Sequence, residues 1–315
     1  MIRSRHVSVE VDLAVIRSNV RRIAAAVRVP LLAVVKADAY GLGAKIVSQT
    51  IAELVNGFYV FNLAEAIAYD LVSTGRRTLA LRADCEDPED FLAHRVQPAV
   101  WDYPSAMRLR AAHPVLSVDT GQQRFGVPAN DTTAIESILA AGRIEEAFTH
   151  ATTPGQAELL RETLGGRAIV LHAAGSALLH EPRAWMDTVR PGLAMYQGAV
   201  RVHAPLIEVR ETTGPAGYTG FTARRHGVIL AGYSNGFRTG PCVVKGRRSR
   251  ILEVGMQSAF VELGEDDRVS DEVSLLGDGL TEQEVAAAWN VSPQEALFRL
   301  AGMGDRLYRR EVAPS

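Results

Sequence analysis

The chain has little that would mark it for an oxidising compartment, a membrane or a nucleic acid. Only two of its 315 residues are cysteine, Cys85 and Cys242. Two such distant cysteines form no disulfide framework and no metal-ligand spacing, so no metal is expected and a reducing, cytoplasmic setting fits. The basic start, Met1 to His6, is followed by no long apolar core, and no signal peptide is expected. No uninterrupted apolar run approaches the length of a membrane span. Charge of one sign is also missing: 34 basic residues face 36 acidic ones, for a net charge of -2. That leaves no electrostatic footprint for a nucleic-acid partner. The basic run Arg247-Arg248 after Lys245 reads as a solvated loop. Internal repeats, low-complexity tracts and flexible linkers are absent too.

What is present is ordinary for a globular protein: 47% hydrophobic and 22% charged residues. The length allows one large domain or two unequal ones. Val7, Val9 and Val11 alternate with polar residues as in a strand. Asp12 is placed to cap a helix in which Leu13, Ile16, Val20, Ile23 and Val27 recur at helical spacing. Apolar runs suited to strands follow at 31–35, 58–61, 78–81, 98–101, 115–118, 145–148, 168–171 and 190–195, with helix-like stretches such as 64–74, 131–141 and 154–164 between them. Strand–helix alternation through eight units predicts an α/β fold, a closed (β/α)8 TIM-type barrel. An open doubly wound sheet is the alternative, and the lack of a G-x-G-x-x-G after an early strand weighs against its dinucleotide-binding form. From Val200 the pattern changes to strand after strand, at 204–210, 226–231, 242–244, 250–254, 259–263 and 272–276. The prediction is a barrel over 1–200, with 5–11 as a strand joining the later part, and a mainly β C-terminal domain over 201–315. Two short helices close it. Thr281 with Glu284 and Ser292 with Glu295 each fit a capping box, and Pro293 sits at a first helical position.

One stretch organises the chain: Val34-Val35-Lys36-Ala37-Asp38-Ala39-Tyr40-Gly41-Leu42-Gly43. A buried strand delivers a lysine to the mouth of whatever it builds. A lysine there either snorkels to water or is held partly desolvated, as a carbonyl-reactive amine must be. Other distinctive residues fall at later strand ends, where barrel enzymes keep their chemistry. Asp119-Thr120-Gly121-Gln122-Gln123-Arg124-Phe125-Gly126 follows the fifth strand, His150 the sixth and His172 to Ser176 the seventh, while Arg190-Pro191-Gly192-Leu193-Ala194-Met195-Tyr196 forms the eighth.

In this order the segments resemble the alanine racemase family, from Val7 to Tyr308. The Lys36 stretch resembles its lysine motif, residues 119–126 its D-T-G-x-x-R-x-G loop, and residues 190–196 its R-P-G-x-A-x-Y signature. The resemblance implies a fold-type III enzyme that uses pyridoxal 5'-phosphate (PLP). Lys36 would carry the cofactor, and Tyr40 would hydrogen-bond its phosphate with Ser176 and the backbone of Gly192 and Leu193. Arg190 would face the pyridine nitrogen and His150 would pack beside the ring. Arg124 would sit near the substrate carboxylate. Tyr218, in Gly217-Tyr218-Thr219-Gly220, matches the family's second base. It would enter from the partner of a head-to-tail homodimer, as would Met256 with its N–H for the substrate carboxylate.

The expected activity is interconversion of L- and D-alanine by two-base proton transfer at Cα between Lys36 and Tyr218. The alternatives are a PLP-dependent racemase, decarboxylase or lyase acting on another amino acid in a specialised pathway, and a non-catalytic PLP-binding protein. Several positions depart from the family pattern. Asn235 stands for an acid in Gly232-Tyr233-Ser234-Asn235-Gly236-Phe237, which resembles G-Y-A-D-G-Y. Gly255 and Gln257 stand for cysteine and aspartate in Val254-Gly255-Met256-Gln257. Gly302 stands for a tyrosine, and Ser117 for a lysine that can be carbamylated to brace the loop arginine.

Overall fold

A computed structural model describes residues 7–83 and 86–309 and divides the chain into two compact units, Ile16–Ala39 with Gly43–Met195, and Met1–Val15 with Tyr40–Leu42 and Tyr196–Ser315. The basic start and Cys85 lie outside the described residues.

Eight parallel strands form the barrel unit: Leu32–Val34, Gly57–Val60, Arg77–Ala80, Val96–Val100, Val115–Asp119, Glu146–Ala151, Val170–Gly175 and Thr188–Arg190. Each pairs with its sequence neighbours, and a parallel bridge from Leu31 to Val189 brings the last back to the first. The strands are apolar on both faces because helices cover the outside and side chains fill the inside. Gly57 shows how tight the packing is. A Cβ there would lie 2.7 Å from the Arg77 carbonyl oxygen and 2.8 Å from the Leu32 side chain.

Helix starts follow their caps. Asp12 Oδ1 accepts from the N–H groups of Ala14 and Val15 at 2.9 and 3.0 Å, and the helix Leu13–Val27 buries Ile16, Val20, Ile23 and Val27. Asp131 caps Thr132–Gly142, and Thr153 with Gln156 forms a capping box for Pro154–Leu164. The stretch 64–74, expected as one helix, is two pieces, Leu63–Ala68 and a 3-10 turn Leu71–Thr74, because Asp70 takes a left-handed φ of 53°. The eighth strand ends at Arg190 instead of running to 195. Pro191 has no N–H for the ladder, and Leu193–Tyr196 coils into one helical turn. The sixth and seventh strands run longer than expected, so His150 and His172 lie within strands rather than after them.

The other unit is built on a nine-stranded sheet. Its order is Glu208–Glu211, Arg225–Ile229, Ala259–Glu262, Arg247–Val254, Pro241–Val244, Glu272–Leu276, Val200–Pro205, Ser8–Asp12 and Asp305–Arg309. Residues 204–210 are not one strand. The chain breaks after Pro205, and the two pieces pair with different neighbours. Arg247 and Arg248 are not in a loop. Lys245 and Gly246, with φ of 50° and 78°, form a two-residue hairpin turn, and both arginines start a strand with their side chains exposed. Asp305–Arg309, which pairs in parallel with Ser8–Asp12, has no apolar alternation to announce it. Thr281 and Glu284 form the reciprocal capping box. Ser292 makes only half of one, because the Glu295 carboxylate turns to Arg299 Nε at 2.9 Å. Pro293 is the first residue of its helix. No helix among the described residues is long and apolar enough to cross a membrane.

Because neither backbone nor strand neighbour can yield at residue 57, Gly57→Ala should cost roughly 2 kcal/mol of stability. Urea unfolding measures it, and a loss under about 0.5 kcal/mol would contradict this packing.

Candidate active site

Lys36 follows the first barrel strand and is half-buried. The backbone after it is unusual. Ala37, Asp38, Ala39 and Tyr40 have φ values of 52°, 54°, 53° and 61°, and Gly41 follows at 80°. Each non-glycine residue in this left-handed helical region costs about 1–2 kcal/mol. Specific contacts hold the run in place. Glu65 accepts from the N–H of Ala37 and of Phe61, each at 2.8 Å. The hydroxyl of Tyr69, one helical turn on, accepts from the N–H of Asp38 at 2.8 Å. Asp38 accepts from the N–H of Ala44 at 2.7 Å, and Ala39 N–H donates to the Val35 carbonyl at 2.8 Å. Glu65 lies three residues after the N-cap Asn62, whose side chain accepts from the Glu65 N–H at 3.0 Å.

Burial lowers the Lys36 amine pKa, and the cations Arg124 and Arg190 lower it further against a raising effect of Glu65. Lys36, Arg124, His150 and Arg190 therefore share one electrostatic neighbourhood at the C-terminal mouth of the barrel. His150 is pushed down to about 4 by desolvation and by Arg190, Lys36 and Arg124, so it is neutral at neutral pH.

Arg190 is buried at the end of the eighth strand. Its guanidinium lies 4.7 Å from the Phe148 ring centre and 5.3 Å from that of Tyr59. It donates to the carbonyls of Thr149 and Ala173 and meets His172 Nδ1 at 2.8 Å. His172 is fully buried, stacked on Phe148, and pushed down to about 4 by burial and by Arg190. A neutral His172 accepts at Nδ1 and carries its proton on Nε2, which lies 2.9 Å from Glu146 Oε1. Glu146 accepts two hydrogen bonds from Arg77, at 2.5 and 2.8 Å. Burial pushes the Glu146 carboxyl up, but Arg77 and His172 overcome it and hold it at about 2. Arg77 and Glu146 carry no motif, and only their positions in two barrel strands bring them together.

The Arg124 loop is shaped by its glycines. Gly121 sits at φ 136° and donates to Asp119 Oδ1 at 2.7 Å. Gly126 passes so close to the fifth strand that a Cβ would lie 2.7 Å from the Asp119 nitrogen. Arg124 itself is exposed, with its guanidinium 5.6 Å from the Phe125 ring centre. Trp101, Asp119, Gln123, Arg124, Phe125 and Leu159 are among the residues lining an open cavity of about 740 Å³. Ser117 is buried in the fifth strand.

Ser176 opens a 3-10 turn after the seventh strand, and its hydroxyl oxygen accepts from the N–H groups of Gly192 and Ala194 at 2.9 and 3.2 Å. The two amides thereby converge on one hydroxyl oxygen at the mouth end of the seventh and eighth strands.

Tyr40, Tyr218 and Met256 belong to the other unit. The Tyr40 ring packs against that of Tyr196 at 5.1 Å, and burial pushes its hydroxyl up to about 12. Tyr218 is 94% exposed and Met256 is 61% exposed. The Met256 carbonyl accepts from Ser234 N–H at 3.0 Å, and Gly232 comes within 2.1 Å of the same oxygen at its Cβ position. The segments 232–237 and 254–257 are thus packed together, which is why the first of them begins with glycine. Asn235 and Gln257 line one cavity of about 340 Å³ with Ser234 and Asp305, and Gly302 caps the helix Pro293–Ala301.

The family model described as alanine racemase, N-terminal domain, matches residues 11–200. The chain belongs to the alanine racemase family. A protein named alanine racemase from Nitrosospira multiformis is 30% identical, over 95% of this chain and 98% of its own length. The crystal structure of biosynthetic alanine racemase from Pseudomonas aeruginosa superimposes with a TM-score of 0.86 at 27% identity, covering 97% of this chain and all of that one. The crystal structure of alanine racemase from Bartonella henselae with covalently bound pyridoxal phosphate has the same fold, at a TM-score of 0.86 and 22% identity. The family match spans Lys36, Arg124, His150, Ser176 and Arg190.

Replacing Glu146 with Gln would leave Arg77 and His172 facing an uncharged group and should cost about 3 kcal/mol in urea unfolding at pH 7. The depressed folded pKa values of His172 and Glu146 both add stability that disappears as pH falls, the first from 6.5 towards about 4 and the second from 4.5 towards about 2. The wild-type midpoint should therefore drop on acidification across that window. A flat profile would contradict the network.

Proposed function

We propose that this protein is a PLP-dependent amino-acid racemase of the cytoplasm, with alanine as its first-choice substrate and a head-to-tail homodimer as its active form. The observation that carries the reading is Lys36. It is an amine of lowered pKa, at a barrel mouth shared with Arg124, His150 and Arg190, in a chain of this family.

The residues present fit the cofactor. The Gly192 and Ala194 amides, which converge on the Ser176 hydroxyl, would hold the phosphate together with the Leu193 backbone and Tyr40. The buried Arg190 supplies a cation for the pyridine nitrogen, and the lowered pKa makes Lys36 a reactive amine for the aldehyde. When bound, PLP supplies an electron sink for the charge left at Cα.

The chain's own residues supply the rest. Arg190 makes its protein hydrogen bonds as a donor, to His172 and two carbonyls; burial lowers its pKa, but a guanidinium starts so far above neutrality that it keeps its proton. When PLP is bound, a cation there would keep the pyridine nitrogen unprotonated, which would limit the electron sink and suppress competing reactions. Arg124 and the Met256 N–H of the partner copy hold the substrate carboxylate. Racemisation takes a proton from one face of Cα and returns one to the other, and the simplest arrangement has a base on each face. Lys36 Nζ serves one face and the Tyr218 hydroxyl of the partner copy the other. The exposure of Tyr218 supports its donation to another copy.

Treating the PLP-loaded protein with borohydride should leave a pyridoxyl mass on the peptide containing Lys36, and Lys36→Ala should abolish it. A label on another lysine would overturn the assignment. Tyr218→Phe should lower turnover of both enantiomers by about 100-fold or more. Undiminished turnover would reject the two-base scheme.

A further inference from the structure

The turn that carries Tyr218 is fastened by one carboxylate. Glu253 Oε1 accepts from the Tyr218 N–H at 2.9 Å. Glu253 Oε2 accepts from the Thr219 N–H at 2.7 Å and from the Thr219 hydroxyl at 2.5 Å. The turn is built to receive it. Gly217 has φ +69°, and a Cβ on it would lie 2.6 Å from Glu253 Oε2. Gly220 has φ +67°, and Ala216 N–H donates to the Phe221 carbonyl at 3.0 Å to close the loop.

Glu253 occupies an inward, buried position near the end of the strand Arg247–Val254, where a carboxylate is costly unless hydrogen bonds compensate it. Burial raises its pKa, but the Thr219 hydroxyl and the two N–H groups outweigh that and keep it below the ordinary carboxylate value. Two residues on, just past the end of the strand, comes Gly255. A Cβ there would lie 4.0 Å from Tyr218 Cε2, so the ring lies beside an open backbone position. The end of this interior strand thus grips the Tyr218 backbone through Glu253, with Gly255 beside the ring, while Tyr218 as a whole is 94% exposed.

We propose that Glu253 is the positioning residue of the Tyr218 base: it fixes the 217–219 turn, and so the direction of the phenol, without touching the reacting atoms. The inference rests on the reading of Tyr218 as a base, and the test separates the two.

The test compares PLP-loaded wild type with Glu253→Gln, Thr219→Val and Tyr218→Phe. Amide hydrogen exchange at Tyr218 and Thr219 should speed up by about tenfold or more in Glu253→Gln. Inversion of alanine should fall by about tenfold or more in both directions. Exchange of the Cα hydrogen with deuterated water should persist within about threefold of wild type for the one enantiomer whose Cα–H faces Lys36, because that half of the reaction does not need Tyr218. Thr219→Val removes one of the three hydrogen bonds and should give the same pattern more weakly; it serves if Glu253→Gln does not fold. Equal loss of exchange for both enantiomers would indicate a general structural defect and overturn the proposal. Unchanged inversion in Glu253→Gln alongside impaired Tyr218→Phe would also overturn it and spare the base. Unchanged inversion in Tyr218→Phe would overturn the base reading itself.

Discussion

Four consecutive non-glycine residues after Lys36 are wound in the disfavoured left-handed sense. Such strain persists only where neighbours over-determine it. Here the Glu65 carboxylate, the Tyr69 hydroxyl and the Asp38 side chain each take one backbone N–H of the region. The strained run turns the chain sharply within a few residues of the strand. Lys36 is thus left at the barrel mouth, where burial and two arginines depress its pKa. The same Glu65 that braces the turn also opposes that shift, so one residue tunes both the position and the basicity of the amine.

A second constraint lies within the barrel. Burying Arg190 is tolerable only because every contact around it is an acceptor or an aromatic face: His172, the carbonyls of Thr149 and Ala173, and the rings of Phe148 and Tyr59. His172 in turn lies against Glu146, and Glu146 is held by Arg77. The Arg190 contact at Nδ1 sets the tautomer of His172, with its proton on Nε2 on the side of Glu146.

The parts of this arrangement that were readable in sequence are those encoded locally. Lys36 and Arg190 were found because each sits beside an apolar run and a short, distinctive neighbour set. The Asp12 cap, the Thr281–Glu284 box and the eight alternating barrel units followed from spacing and alternation. What could not be read works across distance. Glu65 reaches Ala37 across 28 residues, Arg77 reaches Glu146 across 69, and Glu253 reaches Tyr218 across 35. None of those acids has a local signature beyond a helix start or a strand position. Boundaries failed where backbone chemistry overrode apolar pattern: at Pro191, at Pro205, at the left-handed Asp70 and at the Lys245-Gly246 turn.

The proposed activity is proton transfer on and off the Cα of a small amino acid from two opposite faces. The most direct measurement is incubation of the purified, PLP-supplied protein with L-alanine in deuterated water, followed by chiral separation and mass analysis of the product. The account predicts D-alanine bearing one deuterium at Cα. Neither inversion nor exchange on alanine or any other amino acid, from protein that has bound PLP, would contradict it.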